Sequence, residues 1–215
     1  MSAPIRLVAG LGNPGSRYAN TRHNVGQRAL EELARRLGAG RFRPRFAGSF
    51  AEARGPHGPV ALLVPTTYVN ESGNAVGPAA GALFARPEQV LVLHDEIDLP
   101  FGTVRGKAGG GHGGHNGLRS VASRMGGGGF ARVRLGVGRP PADFGGDEAA
   151  WVLGRFSEPP DEVDRLIDRG VDMAELALAE GIEAAIAQFH AAPPRSRAAD
   201  RAARRAVAAD SEPGT

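Results

Sequence analysis

The chain has 215 residues, enough for one domain with a sizeable core, so neither disulfides nor a structural metal is needed for stability. It contains no cysteine, which excludes thiolate metal sites, thiol redox motifs and cysteine nucleophiles. The first residues lack the apolar segment of a signal peptide, and no apolar run approaches the length of a membrane span. We therefore expect a cytoplasmic protein without a membrane partner.

The net charge of +3 hides an uneven distribution of charge. Residues 99–142 contain seven basic side chains and no acidic one, whereas residues 143–190 contain twelve acidic and three basic ones. Lys107, the only lysine of the chain, lies beside the glycine-rich sequence AGGGHGGHNG. Unopposed cations around such a loop indicate a polyanion such as RNA as partner, although a solvated basic face explains them equally well at this point.

Apolar spacing predicts alternating strands and helices along most of the chain. In chain order we expect strands at 5–9, 46–53, 60–64, 90–94, 103–107 and 133–137, and helices at 24–37, 72–84, 118–125 and 161–178. This alternation predicts a single α/β domain over residues 1–190, with a twisted, mixed and largely parallel sheet and helices on both faces. Residues 191–215 are rich in Ala, Arg and Pro without apolar periodicity, and we expect a disordered tail there.

The sequence VAGLGNPGSRYANTRHNVG contains G-x-G-x-x-G directly after the first predicted strand. A dinucleotide-binding fingerprint requires a helix that begins in the glycine turn and an acidic residue at the end of a second strand. Here the helix is predicted to begin about ten residues late, and the sequence ALEELARRLG of that helix occupies the acidic position. We therefore interpret the glycines as a sharp turn that places Asn13, His23 and Asn24 at the carboxyl edge of the sheet, where open α/β sheets bind ligands.

Two of these strand ends carry residues suited to acid–base chemistry. His23 lies where a loop meets a helix, and a helix N-terminus favours the neutral imidazole that a general base needs. Asp95, Glu96 and Asp98 follow the strand at 90–94, and an aspartate there could accept the N–H of a histidine and fix its tautomer. Taken singly, an ordinary histidine and a solvated acidic turn explain the two segments as well.

The sequence RGKAGGGHGGHNG, with seven glycines in residues 106–117, suits a mobile loop or backbone N–H groups that meet phosphate. Its histidines, with histidines and carboxylates elsewhere, could bind a metal ion, but flexible glycines position ligands poorly. Amide side chains recur near strand ends, at Asn13, Asn24, Asn70 and Asn116. Such side chains can hold a peptide or donate to an oxyanion. Any one of them alone is most simply explained as a turn residue.

Taken in order, six segments resemble the bacterial-type peptidyl-tRNA hydrolase family over residues 5–189: GLGNPGSRYANTRHNVG, VPTTYVNESG, HDEIDLPFG, KAGGGHGGHNGLRS, FARVRLGVGRP and WVLGRF. The resemblance implies a phosphorylase/hydrolase-like fold. It also implies hydrolysis of the ester that joins a peptide to the 3′ end of tRNA, which recycles tRNA from aborted translation. On this basis we expect peptidyl-tRNA as the partner and neither a metal nor a cofactor. We also expect a monomer.

The resemblance implies catalytic roles for residues that match the family's motifs. His23 would be the general base that activates water against the ester carbonyl, and Asp95 would be its carboxylate partner. Asn13 and Asn70 would position the peptidyl part and the carbonyl group. Asn116 would orient the water or support the oxyanion.

Other matching residues would contact the substrate. Lys107 and Arg134 match the positions that hold the 5′-phosphate of the tRNA, and His115 lies in the mobile loop. Tyr68 keeps the aromatic side chain that the family has there. Val69 stands where the family usually carries methionine, which leaves the peptide-side contact in doubt.

Two other classes of function remain open on the sequence. One is a zinc-dependent peptidase that uses His23, Asp95 and the loop histidines. The other is an RNA-binding module without catalysis, which the pairing of His23 with Asp95 argues against. Sensitivity to a chelator and the release of peptide from tRNA distinguish the three classes.

Overall fold

The computed structural model of the chain describes residues 3–191. It contains seven strands: β1 (Leu7–Gly10), β2 (Arg43–Arg45), β3 (Gly48–Gly55), β4 (Gly58–Pro65), β5 (Val90–Glu96), β6 (Val104–Ala108) and β7 (Ala131–Gly136). They form one sheet in the order β2-β3-β4-β1-β5-β7-β6. The central strands β4, β1, β5 and β7 are parallel, and antiparallel pairings bring in β3 and β2 on one side and β6 on the other. The predicted mixed sheet, with its parallel part at the centre, is confirmed.

Six helices accompany the sheet: α1 (Val25–Arg36), α2 (Gly73–Ala82), α3 (Asn116–Arg124), α4 (Glu148–Leu153), α5 (Pro160–Glu180) and α6 (Ile182–Ala191). The apolar side chains of α1, α5 and α6 share one core with one face of the sheet, and those of α2 and α3 form a second core with the other face. Helices on both faces are therefore confirmed. A tail is expected at 191–215, but residue 191 is still the last residue of α6. Residues 192–215 lie outside the described part of the chain.

Glycines allow α1 to lie directly against the two central strands. A Cβ on Gly26 would be 2.3 Å from the carbonyl oxygen of Leu93 in β5, and one on Gly10 would be 2.6 Å from the Cβ of Leu30. Both distances are shorter than real Cβ contacts, so only glycine permits this approach. The first glycine of the G-x-G-x-x-G pattern thus serves helix packing. The same contact brings the residues just before α1 next to the carboxyl end of β5.

Three elements are not predicted by sequence patterns: β2, α4 and α6. β2 has three exposed residues at the edge of the sheet, and α4 has six residues without a buried one, so neither presents an apolar face that a periodicity could reveal. The last predicted helix ends at 178, whereas the structure has α6 after Gly181, and Ile182 and Ala185 of α6 are buried in the same core as α5. Among the residues that the structure describes, no helix combines the length and apolarity that crossing a bilayer requires.

Candidate active site

The carboxyl ends of β1, β4 and β5 and the start of α3 meet at one edge of the sheet. Asn13 follows β1, the segment from Tyr68 to Asn70 follows β4, and Asp95 lies near the end of β5. His23 precedes α1, and His115 is the residue before α3. Direct hydrogen bonds join His23, Asp95 and His115, and another joins Asn13 to the segment after β4.

A buried carboxylate connects the two histidines of the site. His23 Nδ1 lies 2.8 Å from Asp95 Oδ1, and His115 Nε2 lies 3.0 Å from the same oxygen. The Asp95 side chain is 2% exposed and that of His23 is 13% exposed. The two imidazole rings are 5.1 Å apart. The carboxylate of Asp95 is therefore shielded from solvent, whereas the imidazole of His23 remains partly exposed to solvent.

Hydrogen bonds assign the tautomers of both histidines. His115 Nδ1 accepts the backbone N–H groups of Gly117 and Leu118, at 3.1 and 3.3 Å, and so caps α3. Its proton must therefore be on Nε2, from which it donates to Asp95. His23 donates to Asp95 through Nδ1, which leaves the lone pair of His23 Nε2 free to accept a proton.

The electrostatics of this cluster favour a charged pair. Burial acts to lower the pKa of His23, but attraction to Asp95 and the hydrogen bond with it outweigh burial, so the pKa is raised above its ordinary value. Burial acts to raise the pKa of Asp95, but His23 and His115 outweigh it and hold that pKa well below its usual range. Asp95 thus stays ionised, and an imidazolium at His23 is stabilised once it forms.

Asn13 links two of the strand ends and is buried. Its Oδ1 accepts the backbone N–H of Val69 at 2.9 Å, and its backbone exchanges two hydrogen bonds of 2.9 Å with the side chain of Asn24. Because Oδ1 is an acceptor here, the amide orientation is fixed, and Nδ2 remains as a donor without a bonded partner in the described residues. The sequence identified Asn24 as a candidate site residue, and its bonds show that it supports the Asn13 turn.

The predicted substrate contacts lie around this cluster with different exposure. Tyr68 is 51% exposed, and Asn70 and Asn116 are exposed as well. Val69 is buried, and a Cβ on Gly117 would approach its Cγ1 to 2.7 Å. Val69 therefore supports the start of α3 and contributes little surface to a ligand, unlike its two neighbours.

The basic residues of β6 and β7 share one face of the sheet. In the antiparallel register Lys107 is opposite Arg132 and Arg105 is opposite Arg134, and residues two apart on a strand point to the same side. Between them Gly106 faces the other side, where a Cβ would meet α5 and α6. Arg134 Nε donates to the carboxylate of Glu96, the residue after Asp95, at 3.0 Å. The predicted pair Lys107 and Arg134 thus lies on a basic face that begins beside Asp95.

Buried polar residues that sequence patterns did not single out support the site. The guanidinium of Arg22 stacks 3.6 Å from the ring of Trp151 and donates to Arg155 O and Ser157 Oγ, which holds α4 and the residues after it beside His23. His94 is fully buried, donates through Nδ1 to the backbone carbonyl of Asp95, and its ring packs edge-on against His115. Burial and the neighbouring His115 hold the pKa of His94 well below its ordinary value.

Within residues 3–191, His23, Asp95 and His115 form a group that could hold a metal ion, since one ligand atom of each lies within 4.8 Å of the others. His112, the other loop histidine, is outside this group, and its Nδ1 accepts the N–H of Gly114. In the observed arrangement both ring N–H groups point at one carboxylate oxygen. A metal would have to replace those protons, so metal binding and the observed hydrogen bonds compete.

Comparisons with known proteins give a consistent result. A family model for peptidyl-tRNA hydrolase matches residues 7–198. A peptidyl-tRNA hydrolase of Sorangium cellulosum is 50% identical over 185 residues, 84% of this chain and 81% of the relative, and one of Mycolicibacterium vanbaalenii is 46% identical over 193 residues, 89% and 99%. The crystal structure of peptidyl-tRNA hydrolase from Acinetobacter baumannii matches with a TM-score of 0.80 at 36% identity, covering 91% of this chain and 99% of that one.

Proposed function

This chain belongs to the peptidyl-tRNA hydrolase family and is a peptidyl-tRNA hydrolase, and we propose that His23 is the general base of its reaction. One observation carries this proposal. His115 contacts both His23 and His94; it has both nitrogens engaged itself, and His94 is fully buried. Only His23 combines an unused ring nitrogen, partial exposure and a carboxylate partner.

The proposed reaction begins with a water molecule at His23 Nε2. The water oxygen attacks the ester carbonyl carbon while its proton passes to Nε2, and Asp95 stabilises the imidazolium that forms. The tetrahedral intermediate then collapses, the bond to the 3′-oxygen of the tRNA breaks, and that oxygen takes the proton back from Nε2. The products are a tRNA with a free 3′-hydroxyl group and a peptide carboxylic acid, which then ionises by releasing its proton to solvent.

Amide side chains are the proposed donors to the oxyanion and the peptide. Asn13 Nδ2 is held in a fixed orientation by the bond that Oδ1 accepts, so it offers a preorganised N–H to the developing negative charge. Asn116, exposed at the first turn of α3 beside His115, would orient the water or support the oxyanion. Asn70 and Tyr68, exposed after β4, would contact the peptidyl part.

We assign the tRNA contacts to the basic face of β6 and β7. Lys107 and Arg134 would hold the 5′-phosphate, and the electrostatic part of this binding should weaken as salt increases. We also propose that the enzyme works as a monomer in the cytoplasm. One chain supplies all the groups of the proposed mechanism, and the substrate arises during translation.

The experiment that tests the proposal follows release of labelled peptide from N-acyl-aminoacyl-tRNA, with and without EDTA. We expect His23→Ala to lower turnover by at least about 10²-fold, the range of general-base catalysis, and to leave tRNA binding intact. His57→Ala is the matched control, because it removes an exposed histidine in the turn between β3 and β4, outside the cluster.

Turnover of His23→Ala near the wild-type rate would contradict the assignment of the base. Release that EDTA abolishes and zinc restores would favour the zinc hydrolase. Binding of tRNA without any release by the wild type would leave only the RNA-binding module.

A further inference from the structure

The glycine-rich loop before α3 is hydrogen-bonded to the guanidinium group of a buried arginine. Arg132, on β7, is 2% exposed, and its guanidinium donates to the carbonyl oxygens of Gly110 and Gly111, the latter at 2.6 Å. It also stacks on Phe130, with 4.6 Å between Cζ and the ring centroid. In the described residues no carboxylate bonds to Arg132, so its charge is not neutralised by a hydrogen-bonded anion.

This anchoring determines where the amides of the loop point. In a planar trans peptide the N–H points away from the C=O of the same unit. Because the carbonyls of Gly110 and Gly111 point at Arg132, the N–H groups of Gly111 and His112 point away from it. Neither N–H has an acceptor within residues 3–191.

The backbone around these amides has a conformation that glycine permits. Gly109, Gly110 and Gly113 have φ values of +62°, +94° and +55°, which residues with a side chain adopt at a cost. Successive N–H groups on such a backbone form a concave site that binds anions. Gly111 is exposed, so the site is open to solvent.

A second positive charge lies beside the same part of the loop. A Cβ built on Gly110 would be 2.9 Å from Cε and 3.3 Å from Nζ of Lys107. No salt bridge engages Lys107 in the described part of the chain. The two acidic residues of the neighbouring strand β5 are already bound, Asp95 to the two histidines and Glu96 to Arg134. The loop therefore combines free amides with an unpaired ammonium group.

We propose that the amides of Gly111 and His112, together with the ammonium of Lys107, form a phosphate-binding site that receives a phosphate of the tRNA. Arg132 is a positioning residue in this arrangement, because it aims the amides without touching the ligand. The inference rests on the proposed function and adds main-chain donors to the expected side-chain contacts. The glycines are thus required for the direction of their N–H groups as well as for flexibility.

The direct test is an NMR titration of the ¹⁵N-labelled full-length wild type at mildly acidic pH, where exposed amides exchange slowly. The ligands are inorganic phosphate and an acceptor-stem RNA with either a 5′-phosphate or a 5′-hydroxyl group. We expect the amide signals of Gly111 and His112 to move with both phosphate and RNA. The amides of Gly126 and Gly127, in another positive-φ turn, are the control and should stay in place.

The two RNA ligands identify which phosphate is bound. Shifts that require the 5′-phosphate identify the terminal monoester, and equal shifts with both RNAs identify a backbone diester. Either result supports the site. Unmoved Gly111 and His112 signals with every ligand would overturn the inference, and if the same preparation still hydrolyses peptidyl-tRNA, the proposed function stands without it.

A kinetic comparison adds a second readout. Gly110→Ala would place a methyl group against Lys107, whereas Gly126→Ala, also at a positive φ, meets no atom within 4 Å. We expect Gly110→Ala to raise the KM for full-length peptidyl-tRNA about tenfold, the equivalent of one charge-assisted contact, with kcat changed less. Equal KM values for the two variants would count against the site.

Discussion

Replacing Gly26 by alanine tests whether the contact between α1 and β5 sets the catalytic geometry. The new Cβ would lie 2.3 Å from the carbonyl oxygen of Leu93 and 3.0 Å from the Cα of His94. An ordinary contact needs 3.4 Å or more, so the helix must move outward by about 1 Å. His23 precedes this helix by two residues, and its bond to Asp95 is 2.8 Å long. The displacement therefore acts directly on the proposed catalytic pair, His23 and Asp95.

Two effects of Gly26→Ala can be estimated. Overpacking costs about 1–3 kcal/mol, partly offset by about 1 kcal/mol of helix propensity, and we expect the melting temperature to fall by several degrees. A displacement of about 1 Å at a catalytic group typically lowers the rate about 10²-fold. We therefore expect a folded enzyme in which kcat falls by about two orders of magnitude while tRNA binding changes little.

The assays are thermal unfolding and release of labelled peptide at saturating substrate. Gly81→Ala is the matched control, because Gly81 lies in α2 and a Cβ there meets no atom within 4 Å. That variant should be as active as the wild type and slightly more stable, by up to about 1 kcal/mol. A Gly26→Ala enzyme with wild-type stability and turnover would refute the argument that this close approach positions His23.

Three further predictions follow from the charged residues. Asp95→Asn removes the attraction that raises the pKa of His23 and leaves the burial that lowers it, so the rise of kcat/KM with pH should move to lower pH. A pH profile that does not move would contradict the pairing. Arg22→Met removes the cation from the ring of Trp151, the only tryptophan, so the fluorescence of the folded enzyme should change together with kcat; an unchanged spectrum would contradict the docking of α4. Arg36→Met removes ion pairs from α1 to three carboxylates of α5, so unfolding in urea should show a loss of about 1–2 kcal/mol that shrinks in high salt; a loss independent of salt would contradict this origin.

The layers of the fold could be predicted because each rests on a local pattern. The apolar run before Asp95 indicates a buried strand, and the spacing of Val25, Leu30 and Leu33 indicates one face of a helix. The sequence also argues against a dinucleotide fingerprint at the first strand, and the structure explains Gly10 there by its packing against α1. Placing His23 and Asp95 at one edge required only that parallel strands end on the same side of a sheet.

The remaining features depend on contacts between distant segments, for which no local pattern exists. Arg22 and Arg132 are buried, although arginine is a surface residue by default. Each donates to main-chain carbonyls more than twenty residues away, Arg22 to Arg155 and Arg132 to Gly110 and Gly111. The hydrogen bond of His115 to Asp95 depends on where the glycine loop ends relative to β5. Positive φ angles and peptide orientation determine that position, and neither can be deduced from glycine content.

His115 places two demands on one position of the chain. At one end of its ring it must accept the first amides of α3, and at the other end it must donate to Asp95. The residues that usually cap helices lack a donor at that distance, and lysine and arginine lack the acceptor. A substitution of His115 that still caps α3 would therefore remove one of the hydrogen bonds that Asp95 accepts. In the course of evolution, the start of α3 and the setting of Asp95 are consequently free to change only together.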